Sequence, residues 1–414
     1  MSKVIVIGGG IIGLSSAYYL VKSGYQVTVI DKGDFSDNCS YGNAGMIVPS
    51  HFVPLATPGM ISKGIRWMLN SKSPFYVKPS LNLELIDWGL KFMKASTQTH
   101  VEASAVPLRD ISVLSKQLLA DLAAEPDFDF GLTQKGILAF FKSDKVGEEE
   151  AELCEKGRNL GLDMEMLDAE ACSKLQPDLK LDVLGAAHYK CDAHIDPNKL
   201  MTDLLNFLKL KGVEIVANKE VTGFEKRDTS ITGVHAGGQF FEADTFVLAT
   251  GSWSPAIAKL AGESISLMPG KGYSFNLPKI PSISIPALLC EARVAITPMG
   301  ERVRIGGTME LDKINSRINM QRLSGIVESI PKYFPELDVQ LPEQKSVWFG
   351  FRPASPDGLP YIGRSGKRGN LIIATGHGMM GLSLGQATGK LVEELISEKT
   401  LSIFIHAFSP NRYS

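Results

Sequence analysis

The sequence lacks the paired cysteines of a disulfide framework or of a Cys-rich metal site. Its five cysteines stand far apart, and no two of them form a Cys-x-x-Cys pair. An odd number of dispersed cysteines is typical of buried free thiols in a reducing compartment. We therefore expect a cytoplasmic chain without disulfides, with free thiols at Cys39, Cys154, Cys172, Cys191 and Cys290.

An excess of charge of either sign is also missing. Lys and Arg total 43 and Asp and Glu total 45, which leaves a formal net charge of −2. No basic stripe with interleaved aromatic residues occurs, so the composition argues against nucleic acid as a partner.

Long apolar runs are absent as well. Residues 4–21 are almost wholly apolar, but four glycines interrupt them, and residues 38–62 are uncharged but contain three prolines. A membrane-spanning helix needs about twenty predominantly apolar residues. The sequence therefore predicts a soluble protein. One group of apolar residues could touch a membrane surface, although packing in the core is the simpler interpretation. The group comprises Phe52, Leu55, Met60, Ile61, Trp67, Met68 and Leu69.

What the sequence does contain, near its start, is a glycine-rich turn between two predicted strands. Residues 4–7 form the first strand, Gly8 permits a sharp turn, and Gly10 lets the main chain approach a pyrophosphate. Gly13 lets the following helix pack on the strand, and Asp31 at the end of the second strand can bind ribose hydroxyls while disfavouring a 2′-phosphate. The pattern predicts a dinucleotide site with contacts from Ile7, Gly8, Gly10, Ile11, Ile12, Gly13, Asp31 and Lys32.

A long uncharged loop follows Asp31, where an NAD-dependent dehydrogenase would continue with short strand–helix units. Long loops in compact domains are usually functional, and small residues let main-chain amides reach a bulky planar ligand. An ordinary surface loop is the alternative, although surface loops normally carry charge. The candidate contacts in the loop are Ser40, Asn43, Ala44, Gly45 and Met46.

The middle of the chain alternates predicted helices and strands. Periodicity predicts helices over 83–96, 108–124 and 148–160, a strand at 137–141, and a helix start with Asp196 as N-cap and Pro197 at the first position. Further strands are predicted at 213–216, 221–224 and 245–251, and the last ends in small residues at a nucleotide-binding edge. Candidate cofactor contacts there are Val221, Thr250, Gly251 and Trp253. Four residues could be considered as metal ligands, namely His188, Cys191, His194 and Asp196. Their spacing fits a strand end and a helix cap better, so no metal site is predicted.

An arginine ends a predicted strand near the C-terminus. Residues 348–353 are apolar up to Arg352, and an arginine in such a strand is costly unless it is paired. Its partner is either an internal carboxylate or the carboxylate of a substrate, and the residues alone do not choose between them.

A second glycine turn follows at residues 376–381 and leads into a helix that runs to about Ser397. Two helix N-termini suit a long cofactor with a charge at each end, and a reduced flavin is such a molecule, which favours FAD over NAD. His377 in this turn either takes part in catalysis or only holds the turn in position. The candidate contacts are Gly376, His377, Gly378, Met379, Met380 and Gly381.

Several motifs in this order resemble the D-amino-acid oxidase superfamily of flavoproteins, and within it bacterial D-amino-acid dehydrogenases. They are the two glycine turns, Ser-Tyr-Gly-Asn-Ala-Gly (40–45), Gly-Lys-Gly-Tyr-Ser (270–274), Arg-Ile-Gly-Gly-Thr (304–308) and Phe-Arg-Pro-Ala-Ser-Pro-Asp-Gly (351–358). The match spans nearly the whole chain. It implies an α/β fold with a discontinuous, Rossmann-like FAD-binding domain (1–78, 190–258 and 348–414). The rest (79–189 and 259–347) would form an α+β substrate domain on a mixed or antiparallel sheet.

The resemblance also implies residue roles. Arg352 would bind the substrate carboxylate, and Tyr273 would lie near the active site. FAD would be non-covalent, since no cysteine stands in the second glycine turn. Two departures are Asp31, where the family commonly has Glu, and His51, which stands where familiar dehydrogenases carry small or aromatic residues. We therefore include His51 among the candidate catalytic residues with Arg352, Tyr273 and His377.

The implied activity is oxidation of a D-amino or cyclic D-imino acid, with D-proline and cis-4-hydroxy-D-proline as candidates. Hydride would pass from Cα to flavin N5 without a strong side-chain base, and electrons would go to a quinone or carrier protein. A glycine- or sarcosine-type oxidase that forms hydrogen peroxide is the enzymatic alternative. A non-catalytic or RNA-modifying flavoprotein is the alternative from another class.

Overall fold

The computed structural model describes residues 2–62, 64, 75–77, 83–280 and 283–413. In chain order the strands are β1 (Lys3–Ile7), β2 (Gln26–Ile30), β3 (Met46–Ile47), β4 (Phe75–Val77), β5 (Ile137–Phe141), β6 (Glu165–Asp168), β7 (Gly185–Tyr189), β8 (Ala193–His194), β9 (Glu214–Val216), β10 (Val221–Arg227), β11 (Ser230–Ala236), β12 (Gln239–Glu242), β13 (Thr245–Leu248), β14 (Met268–Pro278), β15 (Ala287–Leu289), β16 (Val294–Met299), β17 (Arg302–Leu311), β18 (Trp348–Ala354), β19 (Tyr361–Arg364) and β20 (Leu371–Thr375). The α-helices are α1 (Ile11–Lys22), α2 (Leu83–Ala95), α3 (Gln98–Ala123), α4 (Asp144–Asn159), α5 (Ala169–Leu175), α6 (Pro197–Leu210), α7 (Ser254–Ala261), α8 (Met320–Ser329) and α9 (Gly381–Ile396).

A six-stranded sheet carries the two glycine turns. Its order is β19-β20-β13-β1-β2-β9, parallel throughout except for the β19–β20 pair. Strands β1 and β20 are buried along most of their length and rich in Val, Ile and Leu, as expected of parallel strands covered on both faces. The carboxyl ends of β1 and β20 therefore reach one edge, from which α1 and α9 begin.

A second, larger sheet has the order β18-β14-β17-β16-β15-β5-β7-β6, with β4 paired to β17. It is antiparallel except at the β5–β15 and β4–β17 pairs. One face packs on α8 through an apolar core that includes Leu323 and Ile326. The predicted combination of a Rossmann-like sheet with a mixed sheet is thus confirmed.

The predicted domain boundaries stay a prediction, but two strands bear on them. Strands β4 and β18 lie in stretches assigned to the FAD-binding domain, yet both pair within the larger sheet. The boundary at 78–79 lies outside the described residues.

Two helices begin earlier than periodicity predicts. Helix α3 starts at Gln98 rather than 108, because Thr97 caps it by accepting a hydrogen bond from His100 N, and Pro107 is accommodated within it. Helix α4 starts at Asp144 rather than 148. The cap at Asp196 is confirmed, since its carboxylate accepts from Asn198 N over 2.9 Å and Pro197 opens α6.

Of the helices in the described part of the chain, none has the length and apolar character needed to cross a bilayer. Among the residues considered for membrane contact, Phe52 is buried in a core with Leu108 and Ile111, whereas Ile61 is partly exposed. Trp67, Met68 and Leu69 lie outside the described residues.

The hydrogen bonds of Glu393 should make the stability of the protein sensitive to acid. Burial by itself would raise the pKa of this carboxyl, but hydrogen bonds from Lys399, Lys390 and Ser23 lower it to about 2. Because the pKa of Glu393 is lower in the folded than in the unfolded state, its ionised carboxylate stabilises the fold at pH values above the unfolded-state pKa. This contribution is lost as the pH falls toward the folded-state pKa. Relative to Glu393→Gln, the wild-type free energy of unfolding should drop by about 1–2 kcal/mol between about pH 5 and about pH 3. Urea titrations at several pH values test this, and parallel curves for the two proteins would contradict it.

Candidate active site

A cavity of about 1440 Å³ lies between the carboxyl edge of the six-stranded sheet and one face of the larger sheet. Pockets for ordinary small ligands measure roughly 300–1,000 Å³, so this one has room for a dinucleotide together with a small substrate. Of the residues predicted to contact the cofactor, all but three line it. The exceptions are Gly13, Gly45 and Gly376.

The first glycine turn has the close packing that a dinucleotide cradle requires. A Cβ on Gly13 would lie 1.8 Å from Gly8 O, so only glycine lets α1 approach β1 this closely. A Cβ on Gly10 would meet only Ser40 Oγ at 3.6 Å and would project into the space where a pyrophosphate would bind. These positions fit the roles predicted for them.

Asp31 holds the turn as well as lining the cavity. Its Oδ2 accepts from Gly9 N over 2.6 Å and its Oδ1 from Gly33 N over 2.7 Å. A carboxylate oxygen has a second lone pair, so both oxygens can still accept from ribose hydroxyls. Lys32 Nζ lies 3.8 Å from the centre of the Trp253 ring, and both residues line the cavity, as does Val221.

The uncharged loop is fixed to the larger sheet by two side chains. Arg304 donates to Tyr41 O over 2.6 Å and to Asn43 O over 2.8 Å, and Ser274 Oγ donates to Gly42 O over 2.8 Å. Burial lowers the pKa of Arg304 to about 10, so the guanidinium stays charged at neutral pH. The sheet thereby presents Ser40, Asn43, Ala44 and Met46 to the cavity.

Substitution of Arg304 should weaken binding of the cofactor. Replacing this arginine with methionine leaves the buried carbonyl of Tyr41 and the partly buried carbonyl of Asn43 without this donor, at roughly 1–3 kcal/mol for a buried group. We expect Arg304→Met to weaken FAD binding at least about tenfold, measured by titrating apoprotein and following flavin fluorescence. Lys279→Met, which removes an exposed cation from the neighbouring part of the chain, is the control. Equal FAD affinity in both variants would contradict the role given to Arg304.

The second glycine turn opens α9 toward the cavity. Gly378, Met379, Met380 and Gly381 line it, and the N-cap Met380 offers no side-chain acceptor to the helix N-terminus. His377 borders the cavity, but its Nε2 lies 3.0 Å from Thr388 Oγ1 within α9. Burial lowers the pKa of His377 to about 3, so it is neutral. Its geometry favours the positional alternative over catalysis.

Arg352 brings a half-buried positive charge to the cavity. Its Nη1 donates to Thr308 O over 2.6 Å, and Gly272 leaves room for the guanidinium, since a Cβ there would lie 2.2 Å from Nη1. No carboxylate forms an ion pair with Arg352 in the described chain, and the undescribed positions contain no Asp or Glu. Burial lowers the pKa of Arg352 to about 10, which keeps it cationic at neutral pH. The internal ion pair is therefore not found.

Tyr273 does not bring its phenol to Arg352. Side chains alternate along β14, so Gly272 and Ser274 face the cavity and Tyr273 faces the opposite side. There it packs in the core with Leu323 of α8, and its hydroxyl accepts from Asn319 N over 3.1 Å. Tyr273 therefore lies beside the cavity with its phenol turned toward the core, and its assignment as a catalytic residue stays a prediction.

His51 does line the cavity, in a setting that the sequence did not reveal. Its Nδ1 lies 3.0 Å from Ser50 Oγ, which in turn donates to buried Asp192. Burial and the charge of Arg293 lower the pKa of His51 to about 4, so the imidazole is neutral. Other lining residues missed from sequence are Glu150, Tyr189, Cys290, Arg293 and Thr308. Of these five, Thr308 alone belongs to a motif singled out in the sequence, Arg-Ile-Gly-Gly-Thr at 304–308.

Of the four residues considered for a metal site, His188, Cys191 and Asp196 have separate side-chain partners. His188 contacts Glu165 and Lys135, whereas Cys191 Sγ contacts Asp192. Asp196 caps α6 and binds Arg302 over 2.6 Å. Within the described ranges, no three His, Cys, Asp or Glu side chains are grouped as a metal site would need.

Comparison with known proteins agrees with this geometry. A family model described as FAD-dependent oxidoreductase matches residues 3–395. A D-amino acid dehydrogenase of Vibrio atlanticus is 32% identical, with 99% of this chain and 100% of that protein covered. One of Helicobacter pylori (strain ATCC 700392 / 26695) is 31% identical over 95% of this chain and 94% of its own.

Solved structures share the fold at lower identity. Glycine oxidase from Geobacillus kaustophilus has a TM-score of 0.80 at 20% identity, with both chains fully covered. L-proline dehydrogenase from P. horikoshii has a TM-score of 0.76 at 21% identity, covering 100% of this chain and 97% of its own. The resemblance inferred from the motifs and the prediction of FAD as cofactor are both confirmed. The chain belongs to the family of FAD-dependent oxidoreductases.

Proposed function

We propose that the protein is a dehydrogenase of D-amino acids or cyclic D-imino acids, and that Arg352 binds the substrate carboxylate. The observation that carries this proposal is a half-buried guanidinium beside the cavity that pairs with no carboxylate of the described residues. A planar fork of donors suits a carboxylate bidentately, and burial strengthens the pair by excluding water. The names of the full-length relatives support the D-amino acid class.

The residues around the cavity supply positioning rather than covalent chemistry. Arg352 orients the carboxylate, and its own position is held by Thr308 O and by the space above Gly272. Thr308 has φ of 63°, a costly conformation for a β-branched residue, and it lines the cavity beside the guanidinium. Bound FAD supplies the hydride acceptor. With the carboxylate fixed at Arg352 and the amino group and side chain held by the cavity wall, only one enantiomer would present its Cα–H to that acceptor.

The cofactor would be held without a covalent bond. The second glycine turn contains no cysteine, and the cradle at Gly10 together with the fixed loop at 40–46 gives non-covalent contacts along the cavity. We assign the adenosine half to the first turn and to Asp31. The second turn, at the N-terminus of α9, would lie at the flavin half, where a helix N-terminus favours negative charge.

For the substrate, we favour D-proline and cis-4-hydroxy-D-proline among the candidates. The wall of the cavity combines apolar side chains such as Val48, Val53 and Leu288 with the polar groups of Tyr189 and Arg293. A compact ring with one hydroxyl fits such a mixed wall. The electron acceptor we propose is a quinone or carrier protein, reached in the cytoplasm or at the inner membrane face.

Anaerobic bleaching of the flavin tests the proposed function. Holoenzyme is mixed without oxygen with a panel of D- and L-amino and imino acids, and absorbance of oxidised flavin is followed. We expect reduction by one or more D-compounds. Failure of every D-compound to bleach the flavin would refute the proposal.

Turnover in air separates the dehydrogenase from an oxidase. We expect turnover with an artificial electron-accepting dye and little hydrogen peroxide. Peroxide formed stoichiometrically with substrate consumption would instead establish a glycine- or sarcosine-type oxidase.

A further inference from the structure

Three hydrogen-bonded side chains lead from the cavity into the protein interior. Ser50 Oγ donates to Asp192 Oδ2 over 2.6 Å and lies 3.0 Å from His51 Nδ1, and Ser50 N donates to Asp192 Oδ1 over 2.9 Å. His51 and Ser50 line the cavity, whereas Asp192 lies behind them, fully buried. The series connects the ligand space with a buried carboxyl.

The direction of these bonds determines what His51 offers to a ligand. Because the Ser50 hydroxyl proton points to Asp192, Ser50 Oγ accepts from His51 Nδ1–H. The other ring nitrogen, Nε2, then carries a lone pair. No side chain of the described residues bonds to Nε2, so it is available as an acceptor for an N–H group in the cavity.

We propose that His51 Nε2 accepts a proton from the ammonium group of the bound substrate and that Ser50 relays a proton to Asp192. This rests on the proposed function, which requires an uncharged amine for loss of hydride from Cα. The N–H bond of the ammonium breaks as Nε2–H forms. The Nδ1 proton moves to Ser50 Oγ, and the Ser50 proton moves to Asp192 Oδ2. No electrons are transferred, and His51 ends neutral as its other tautomer.

The surroundings favour a relay over a protonated histidine. Burial and the nearby Arg293 lower the pKa of His51 to about 4, so an imidazolium would be unstable near neutral pH. Burial raises the pKa of Asp192 to about 7, although the Ser50 bonds, Cys191 and the charge of Lys116 each lower it. The proton is therefore held more stably on Asp192 than on His51. His51 would be a catalytic residue, and Ser50 and Asp192 positioning residues that act through it.

The pH dependence of flavin reduction tests the relay. Wild type, Ser50→Ala, Asp192→Asn and Ser50→Thr are loaded with FAD and mixed anaerobically with a D-amino acid across a pH series. In wild type we expect the rate to rise to a plateau above about pH 7, as Asp192 ionises. Ser50→Ala and Asp192→Asn can react only with the fraction of substrate whose amino group is already deprotonated in solution. Their flavin reduction should therefore be about 100-fold slower than in wild type at about pH 8, and the rate should recover at higher pH. Ser50→Thr keeps the hydroxyl and should follow wild type.

A second readout does not depend on turnover. The infrared C=O band of a protonated carboxyl should titrate near pH 7 in wild-type holoenzyme and be missing in Asp192→Asn. Wild-type pH profiles in both Ser50→Ala and Asp192→Asn, in the presence of bound FAD, would overturn the relay while leaving the dehydrogenase intact. Absence of flavin reduction in wild type itself would instead refute the proposed function.

Discussion

Arg352→Ala should raise KM for the amino acid roughly 100- to 1000-fold while FAD stays bound. Removing one partner of a buried, hydrogen-bonded charge pair costs about 3–4 kcal/mol, and each 1.4 kcal/mol is about tenfold in affinity. The guanidinium contacts Thr308 O and not the first glycine turn, so flavin content should not change. Anaerobic titration of flavin reduction measures the effect.

Arg352→Lys is the matched variant. It keeps the charge but loses the fork of donors, so we expect an intermediate loss of about tenfold. Unchanged kinetics in Arg352→Ala would remove Arg352 from substrate binding. A loss of FAD in parallel with the loss of activity would show that Arg352 acts through the fold instead.

Gly13→Ala should abolish retention of FAD. The new Cβ would lie 1.8 Å from Gly8 O and 3.0 Å from Gly8 C, and both are main-chain atoms that cannot rotate away. Helix α1 must then move from β1, which opens the turn that would hold the pyrophosphate and costs about 1–3 kcal/mol or more of stability. We expect the purified variant to be largely apoprotein with a lower Tm.

Gly369→Ala is the control for this substitution. A Cβ at Gly369 would meet no atom within 4 Å, so flavin content and Tm should stay close to wild type. Wild-type flavin content in Gly13→Ala would contradict the packing role assigned to this glycine.

The cofactor half of the site was largely predictable because its signals are local. The first turn places strand, glycines, helix and acid within residues 4–31, and each residue type has a steric or electrostatic reason for its place. Gly13 illustrates this, because its packing against Gly8 follows from residue type and local context alone.

The substrate half was less predictable because it depends on contacts that are distant in sequence. Ser50 and Asp192 are 142 residues apart and meet only because the 190–192 turn lies beside the uncharged loop. Tyr273 was placed near the active site from its motif, but the face of β14 on which it lies depends on register with neighbouring strands. A shift by one residue would exchange the two faces, and local pattern does not specify register in so glycine-rich a strand.

The most direct test of the central claim is stopped-flow reduction of the holoenzyme, without oxygen, by the two enantiomers of one amino or imino acid such as proline. The proposed D-amino acid substrate class predicts rapid reduction by the D-enantiomer and at least about 100-fold slower reduction by the L-enantiomer. The same preference should weaken in Arg352→Ala. Equal rates for both enantiomers, or reduction by the L-enantiomer alone, would contradict the account.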